Sequence, residues 1–122
     1  MSSTVYFSKT NKYPYERQWD LQQIWDSTKN FEVKEIKVSK LWDDRYKEAW
    51  CWQHEGEIIN NLFFLHHMKR VLNADLSYPI ILSEENLIFD GVHRLMKAKH
   101  LGLEYIKYVK YEKDPVATGK SC

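Results

Sequence analysis

Residues 78–110, YPIILSEENLIFDGVHRLMKAKHLGLEYIKYVK, decide how this chain is read. Two apolar runs, residues 79–82 and 87–89, flank Ser83-Glu84-Glu85-Asn86, four polar residues with turn chemistry. The pattern predicts a strand, a tight turn and a second strand. A polar corner, Asp90-Gly91-Val92-His93-Arg94, follows at once. Leu95, Met96, Ala98, Lys99, Leu101 and Leu103 then show helical spacing, and Gly102 stops the helix. A short turn and another strand close the stretch.

The corner puts an acid, a glycine, a histidine and an arginine at the start of a helix. That end of a helix carries N–H groups with no partner inside the helix and a partial positive charge, so it attracts phosphate or carboxylate. A plainer reading is a strand-to-helix connection in which Asp90 caps the helix. Asp90 alone would suffice for that, whereas two basic residues in the first turn oppose the helix dipole unless an anion lies nearby. An anion site is therefore the expectation.

The run IIL, then LIFDGVHRL, then AK, LGL and YI, resembles the ParB/sulfiredoxin superfamily over roughly residues 33–111. In that group an Asp-Gly-x-His-Arg or Gly-x-x-Arg corner binds nucleotide phosphates. The corner is most similar to that of the free serine kinase branch. The resemblance implies an α+β fold, a ParB/sulfiredoxin-like single domain with a small mixed sheet flanked by helices. Residues 33–111 would form it, 1–32 would be an N-terminal helical extension packed on it, and 112–122 a C-terminal tail. Gly91, Val92, His93 and Arg94 would hold the phosphates of ATP or another nucleotide. Asp90 would hold Mg²⁺, and Asp90 and His93 would share in catalysis.

A His-Glu pair precedes the first core helix in the serine kinase branch, and its glutamate is thought to act as general base on the acceptor hydroxyl. His54-Glu55 matches by order and context. It is not a zinc-protease motif, because Ile58 stands where the second histidine would be. The other reading of Glu55 is an acid in a helix first turn, and Glu57 could fill either role. Phosphoryl transfer asks mainly for positioning and charge neutralisation. Arg94 can fork onto phosphate oxygens, His93 can donate or accept, and Glu55 completes the set as a base. The set suits a phosphotransferase or nucleotide hydrolase acting on a small hydroxyl-bearing acceptor or water.

Departures from other branches narrow the choice. Sulfiredoxin carries its reactive cysteine just before the His-Arg pair, where this chain has Val92. Residues 111–122 hold no helix-turn-helix pattern of the kind that follows this domain in chromosome-partitioning ParB proteins. The alternative function is a non-catalytic nucleotide-sensing or DNA-associated ParB-like module of phage or mobile-element type, including a nuclease-like one.

Composition agrees with one modest domain of 122 residues. With 18 basic and 17 acidic residues, net charge is +1, which gives no general support for nucleic-acid binding. Cys51 and Cys122 do not form a metal-type pair and read as free thiols in a reducing compartment. No apolar run reaches membrane-spanning length and the N-terminus is polar, so a cytoplasmic protein without a membrane partner is expected.

Elsewhere, residues 4–7 suggest a short strand. Residues 15–29 predict a helix whose stripe of Tyr15, Trp19, Trp25 and Thr28, with Ile24 beside it, packs on the domain; stacking of a base on Trp19 or Trp25 is the second reading. Residues 31–41 read as a half-buried strand around Ile36, Val38 and Leu41. Residues 42–53 fit a short amphipathic helix that either walls the site or packs as a hydrophobic flap. Residues 58–72 predict a helix with Ile58, Leu62, Leu65 and Val71 or Leu72 on one stripe. His66-His67-Met68-Lys69-Arg70 reads as a surface basic cluster, because adjacent helical histidines point about 100° apart and do not share one ion. Gly119-Lys120-Ser121 lacks the earlier glycine and preceding strand of a phosphate-binding loop.

Overall fold

Short strands and helices alternate through the residues that the computed structural model describes, which are 4–7, 16–42, 61–117 and 119–121. In chain order they are β1 (Thr4–Phe7), β2 (Glu16–Asp20), α1 (Leu21–Ser27), β3 (Lys34–Lys37), α2 (Val38–Leu41), α3 (Asn61–Asn73), β4 (Ile80–Leu82), β5 (Ile88–Asp90), α4 (Val92–His100), β6 (Tyr105–Lys110) and β7 (Gly119–Ser121). Strands β3, β6, β4 and β5, in that order, form a four-stranded mixed sheet, and β1, β2 and β7 a three-stranded antiparallel one. The fold class is α+β. Packing divides the chain into two compact units: one draws on residues 1–32, 81–90 and 109–122, the other on 33–80 and 91–108.

In the first unit, Trp19, Ile24, Ile81, Phe89, Val109 and Tyr111 form the core, and Val5, Leu21, Phe31, Leu87 and Ala117 pack against it. Its aromatic rings meet edge to face, Trp19 on Phe89 at 4.9 Å, Phe89 on Tyr111 at 5.4 Å and Phe31 on Tyr111 at 5.1 Å. Trp19 also donates its indole N–H to the Pro115 carbonyl at 2.9 Å. The 83–86 turn forms as its residues predict. Ser83 is fully buried, and its Oγ accepts from the amides of Glu85 and Leu87. Asn86 takes the left-handed conformation that turns tolerate in this residue type, at φ 64°. Asp114 accepts the Glu84 amide and pairs with Arg17 at 4.0 Å; burial pushes its carboxyl up, against both of these partners.

In the second unit, β3 pairs antiparallel with β6, and Ile36 faces Ile106. Helix α4 packs on α3 and on α2. Ile80, Leu95, Ala98, Val38, Leu41, Val71 and Ile106 are buried. Helix α4 ends as its glycine predicts: Gly102, at φ 72°, donates to the Lys99 carbonyl and Leu103 to that of Ala98, a Schellman close. Lys97, Lys99 and His100 in the last turn suit the dipole there.

Four expectations change. Residues 16–20 are a strand and the helix starts only at Leu21, because Asp20 caps it by accepting the Gln22 amide at 3.0 Å. The aromatic stripe therefore splits: Trp19 is core on β2, Ile24 and Thr28 are buried on α1, and Trp25 is 44% exposed. The strand at 31–41 stops at Lys37. Val38 and Leu41, three apart, are buried along the turn of α2, and Val33 is exposed. Helix α3 forms, but the face it buries carries Val71, with His67 half-buried four residues earlier, while Leu62, Leu65 and Leu72 are exposed. In 112–122, residues 119–121 extend as β7 against β2, so Gly119-Lys120-Ser121 is strand. Of the segment 42–53, only Trp42 is among the described residues, half-buried with the Lys99 ammonium 6.0 Å from its ring centre.

Candidate functional site

Gly91 fixes the corner's backbone. It sits at φ 112° and is the N-cap of α4. A Cβ there would lie 2.5 Å from Cγ2 of Ile80, so both the conformation and the space demand glycine. Gly91 brings no side-chain cap, and the helical ladder begins with the Leu95 amide on the Gly91 carbonyl at 3.0 Å. The capping role weighed for Asp90 is therefore not what this residue does.

The boundary between the two units falls at the Asp90–Gly91 peptide. On the first side, Asp90 ends β5 and its Oδ2 accepts the indole N–H of Trp25 at 2.9 Å. That contact explains why Trp25 stays at the surface while Trp19 is buried: its ring keeps an exposed face and its N–H reaches a charge.

On the second side, the first turn of α4 carries Val92, His93 and Arg94, all half-buried. Nη1 of Arg94 donates to the Pro79 carbonyl at 3.3 Å, and the guanidinium lies 5.8 Å from the Tyr78 ring centre. One turn on, Lys97 donates to the Ala74 carbonyl at 2.8 Å. Both cations thus hold the loop between α3 and β4. Asp75 in that loop accepts the amide and hydroxyl of Ser77 at 2.9 and 2.6 Å. Those two bonds, and at longer range Arg94 and Lys97, hold its carboxyl below the usual range. Across residues 61–79 and 91–100, Lys69, Arg70, Arg94, Lys97 and Lys99 face one acid, Asp75, although the whole chain is nearly neutral.

His93 has a partner that the sequence reading did not find. Its Nε2 lies 3.2 Å from Nδ1 of His67 on α3. His66 is exposed, as a surface cluster requires, but His67 is half-buried and engaged. The signal was the register of α3: His67 shares its face with the buried Val71, not with the exposed Leu62, Leu65 and Leu72.

Glu55, with His54 and Glu57, lies outside the described residues. Asp90 ends β5 in the first unit, and Gly91, Val92, His93 and Arg94 open α4 in the second. Among the described residues, no three His, Cys, Asp or Glu side chains come together as a metal site. A lone carboxylate such as Asp90 fits Mg²⁺ that arrives with phosphate oxygens and water as its other ligands, rather than a resident ion.

No family model, curated protein or solved structure matches the chain. The likeness to the ParB/sulfiredoxin corner rests on the motif residues and their order. Among the described residues no helix is long and apolar enough to cross a membrane.

Proposed function

We propose that the first turn of α4 holds the phosphates of a nucleotide, and that the protein is a small phosphotransferase or nucleotide hydrolase of ParB/sulfiredoxin type. One observation carries the reading. Helix α4 opens on Gly91 with no side-chain cap, and the next residues of its first turn include His93 and Arg94. The start of a helix attracts anions, and His93 and Arg94 add donors that phosphate oxygens accept. The excess of Lys and Arg on α3 and α4 supports the same choice.

In this reading Gly91 lets the backbone approach the phosphate, the amides of Val92 and His93 and the Arg94 guanidinium contact it, and His93 adds a donor. Asp90 would be the residue that holds Mg²⁺. Glu55 is the base toward an acceptor hydroxyl or water. Mg²⁺ bound there would neutralise charge on the transferred group. The second reading, a nucleotide-sensing or DNA-associated module without turnover, uses the same phosphate contacts.

Thermal denaturation with ATP, ADP, CTP and GTP, with and without Mg²⁺, tests the proposal. Stabilisation by a nucleotide, together with phosphate release or transfer that is lost in Glu55→Ala, is expected. Stabilisation without turnover moves the choice to the second reading, and no stabilisation by any of them removes both.

A further inference from the structure

Helix α3 buries little of its apolar content. Val71 and the half-buried His67, four apart, mark the face toward α4, where His67 meets His93. Two further rows of side chains point to solvent. Phe64, Met68 and Leu72, also four apart, make one row, and Leu62, Leu65 and Lys69 make the next. The five apolar members of these rows are 39–64% exposed. Single exposed leucines are ordinary on a protein surface. Five large apolar side chains within eleven residues of one helix make a continuous patch, of the kind that marks an interaction site.

The charge on this helix has one sign. Residues 61–73 contain Lys69, Arg70 and two histidines, and no acid. A groove of about 510 Å³ runs along Leu62, Leu65, His66, Lys69, Arg70 and Asn73, so among the described residues two cations and two leucines line the same concavity. Such a groove accepts a ridge of apolar side chains with acidic groups beside it, which is the pattern of an amphipathic helix laid in a groove. A second copy of α3 would bring Lys69 and Arg70 against their own kind. A lipid surface takes a protruding apolar ridge with cations above it, whereas here the cations and the leucines share the walls of one depression.

We propose that this face of α3 is a docking surface for an acidic amphipathic helix of a partner protein. Leucine-type side chains of the partner enter beside Leu62 and Leu65, and carboxylates flank them opposite Lys69 and Arg70. The corner at the start of α4 takes no part, so this proposal stands or falls apart from nucleotide binding.

A synthetic helical peptide of heptads with leucine at a and d and glutamate at e and g tests it on the full chain, and the same peptide with lysine in place of glutamate is the control. Anisotropy of the labelled peptides should show the acidic one binding at least about tenfold more tightly than the basic one. In the double variant Lys69→Glu, Arg70→Glu the order should reverse, the acidic peptide weakening by about tenfold or more and the basic peptide gaining. Leu65→Ser, which leaves the charges alone, should weaken the acidic peptide as well. All three residues are exposed, so these variants should unfold at the native midpoint. Binding of neither peptide, equal binding of both, or a preference that survives the charge reversal overturns the proposal. A native dimer in sedimentation velocity that Leu65→Ser dissolves would give the face to a second copy. Co-sedimentation with phosphatidylglycerol vesicles that the same variant abolishes would give it to lipid. Either result also overturns the proposal.

Discussion

Trp25 and Asp90, 65 positions apart, are joined by an indole N–H to carboxylate bond of 2.9 Å. The bond ties helix α1 to the end of β5 and fixes one oxygen of the corner's acid. Because Trp25 is 44% exposed, its energetic worth is small, under about 1 kcal/mol. Its value lies in orientation. Trp25→Phe should leave the denaturation midpoint nearly unchanged. Asp90→Ala should move the Trp25 indole N–H resonance upfield, toward the position of a water-exposed indole. An unmoved resonance would mean that the two side chains do not meet in solution.

Gly91 and Gly102 both have positive φ, yet their replacement should differ sharply. At Gly102 nothing lies within 4 Å of an added Cβ, so alanine meets only the left-handed penalty, about 1 kcal/mol. At Gly91 the same penalty is joined by the collision with Ile80, 2.5 Å from the new carbon. Ile80 is fully buried and cannot step aside. Gly91→Ala should therefore cost about 3 kcal/mol, the sum of backbone strain and overpacking. Denaturant unfolding of the two variants checks the ordering; equal losses would show that Ile80 yields.

The same glycines show how far the sequence could be read. From the turn at 83–86 to the Schellman close at Gly102, each signal is local: a serine that bonds its own turn, a glycine where φ must be positive, leucine and alanine three apart. Those elements, and the placing of Asp90 to Arg94 on a strand-to-helix corner, were legible. Residues 16–41 were not, because their periodicities compete. Trp19 and Trp25 are both compatible with one helical stripe, and only packing of Trp19 on Phe89 and capping of α1 by Asp20 show that they belong to different elements. The bond between Trp25 and Asp90 and the pair of His67 with His93 join residues 65 and 26 positions apart, distances over which local pattern carries no information.

Asp75 gives a pH dependence with a definite sign. Its carboxyl is held below the usual value of 3.8, first by the Ser77 hydroxyl and then by the Ser77 amide. A carboxylate depressed in the folded state stabilises it above the ordinary value, and the gain is lost as pH falls through the folded value. Acidification below about pH 4, where an ordinary aspartate protonates, should thus begin to loosen the Ser77 turn, seen as faster exchange or an upfield shift of the Ser77 amide. In Asp75→Ala that amide should be insensitive to pH over the same range. If it still titrates, another acid holds the loop.

Arg94 could be no more than a brace for the loop between α3 and β4, and a control on the same helix decides this. Lys97 performs the bracing task alone, on the Ala74 carbonyl at 2.8 Å. Arg94 braces through Pro79 and Tyr78 and also stands in the first turn. Either alanine variant should lose on the order of 1 kcal/mol of stability, the ordinary worth of one such contact. Only Arg94→Ala should lose stabilisation by nucleotide, because only that side chain can fork onto a phosphate beside the amides of α4. Arg94→Lys, which keeps the charge but not the fork, should recover part of it. Thermal shifts of the three variants with saturating Mg-ATP provide the measurement. Equal loss of nucleotide response in Lys97→Ala and Arg94→Ala would make both residues supports for the loop and move the phosphate away from the corner.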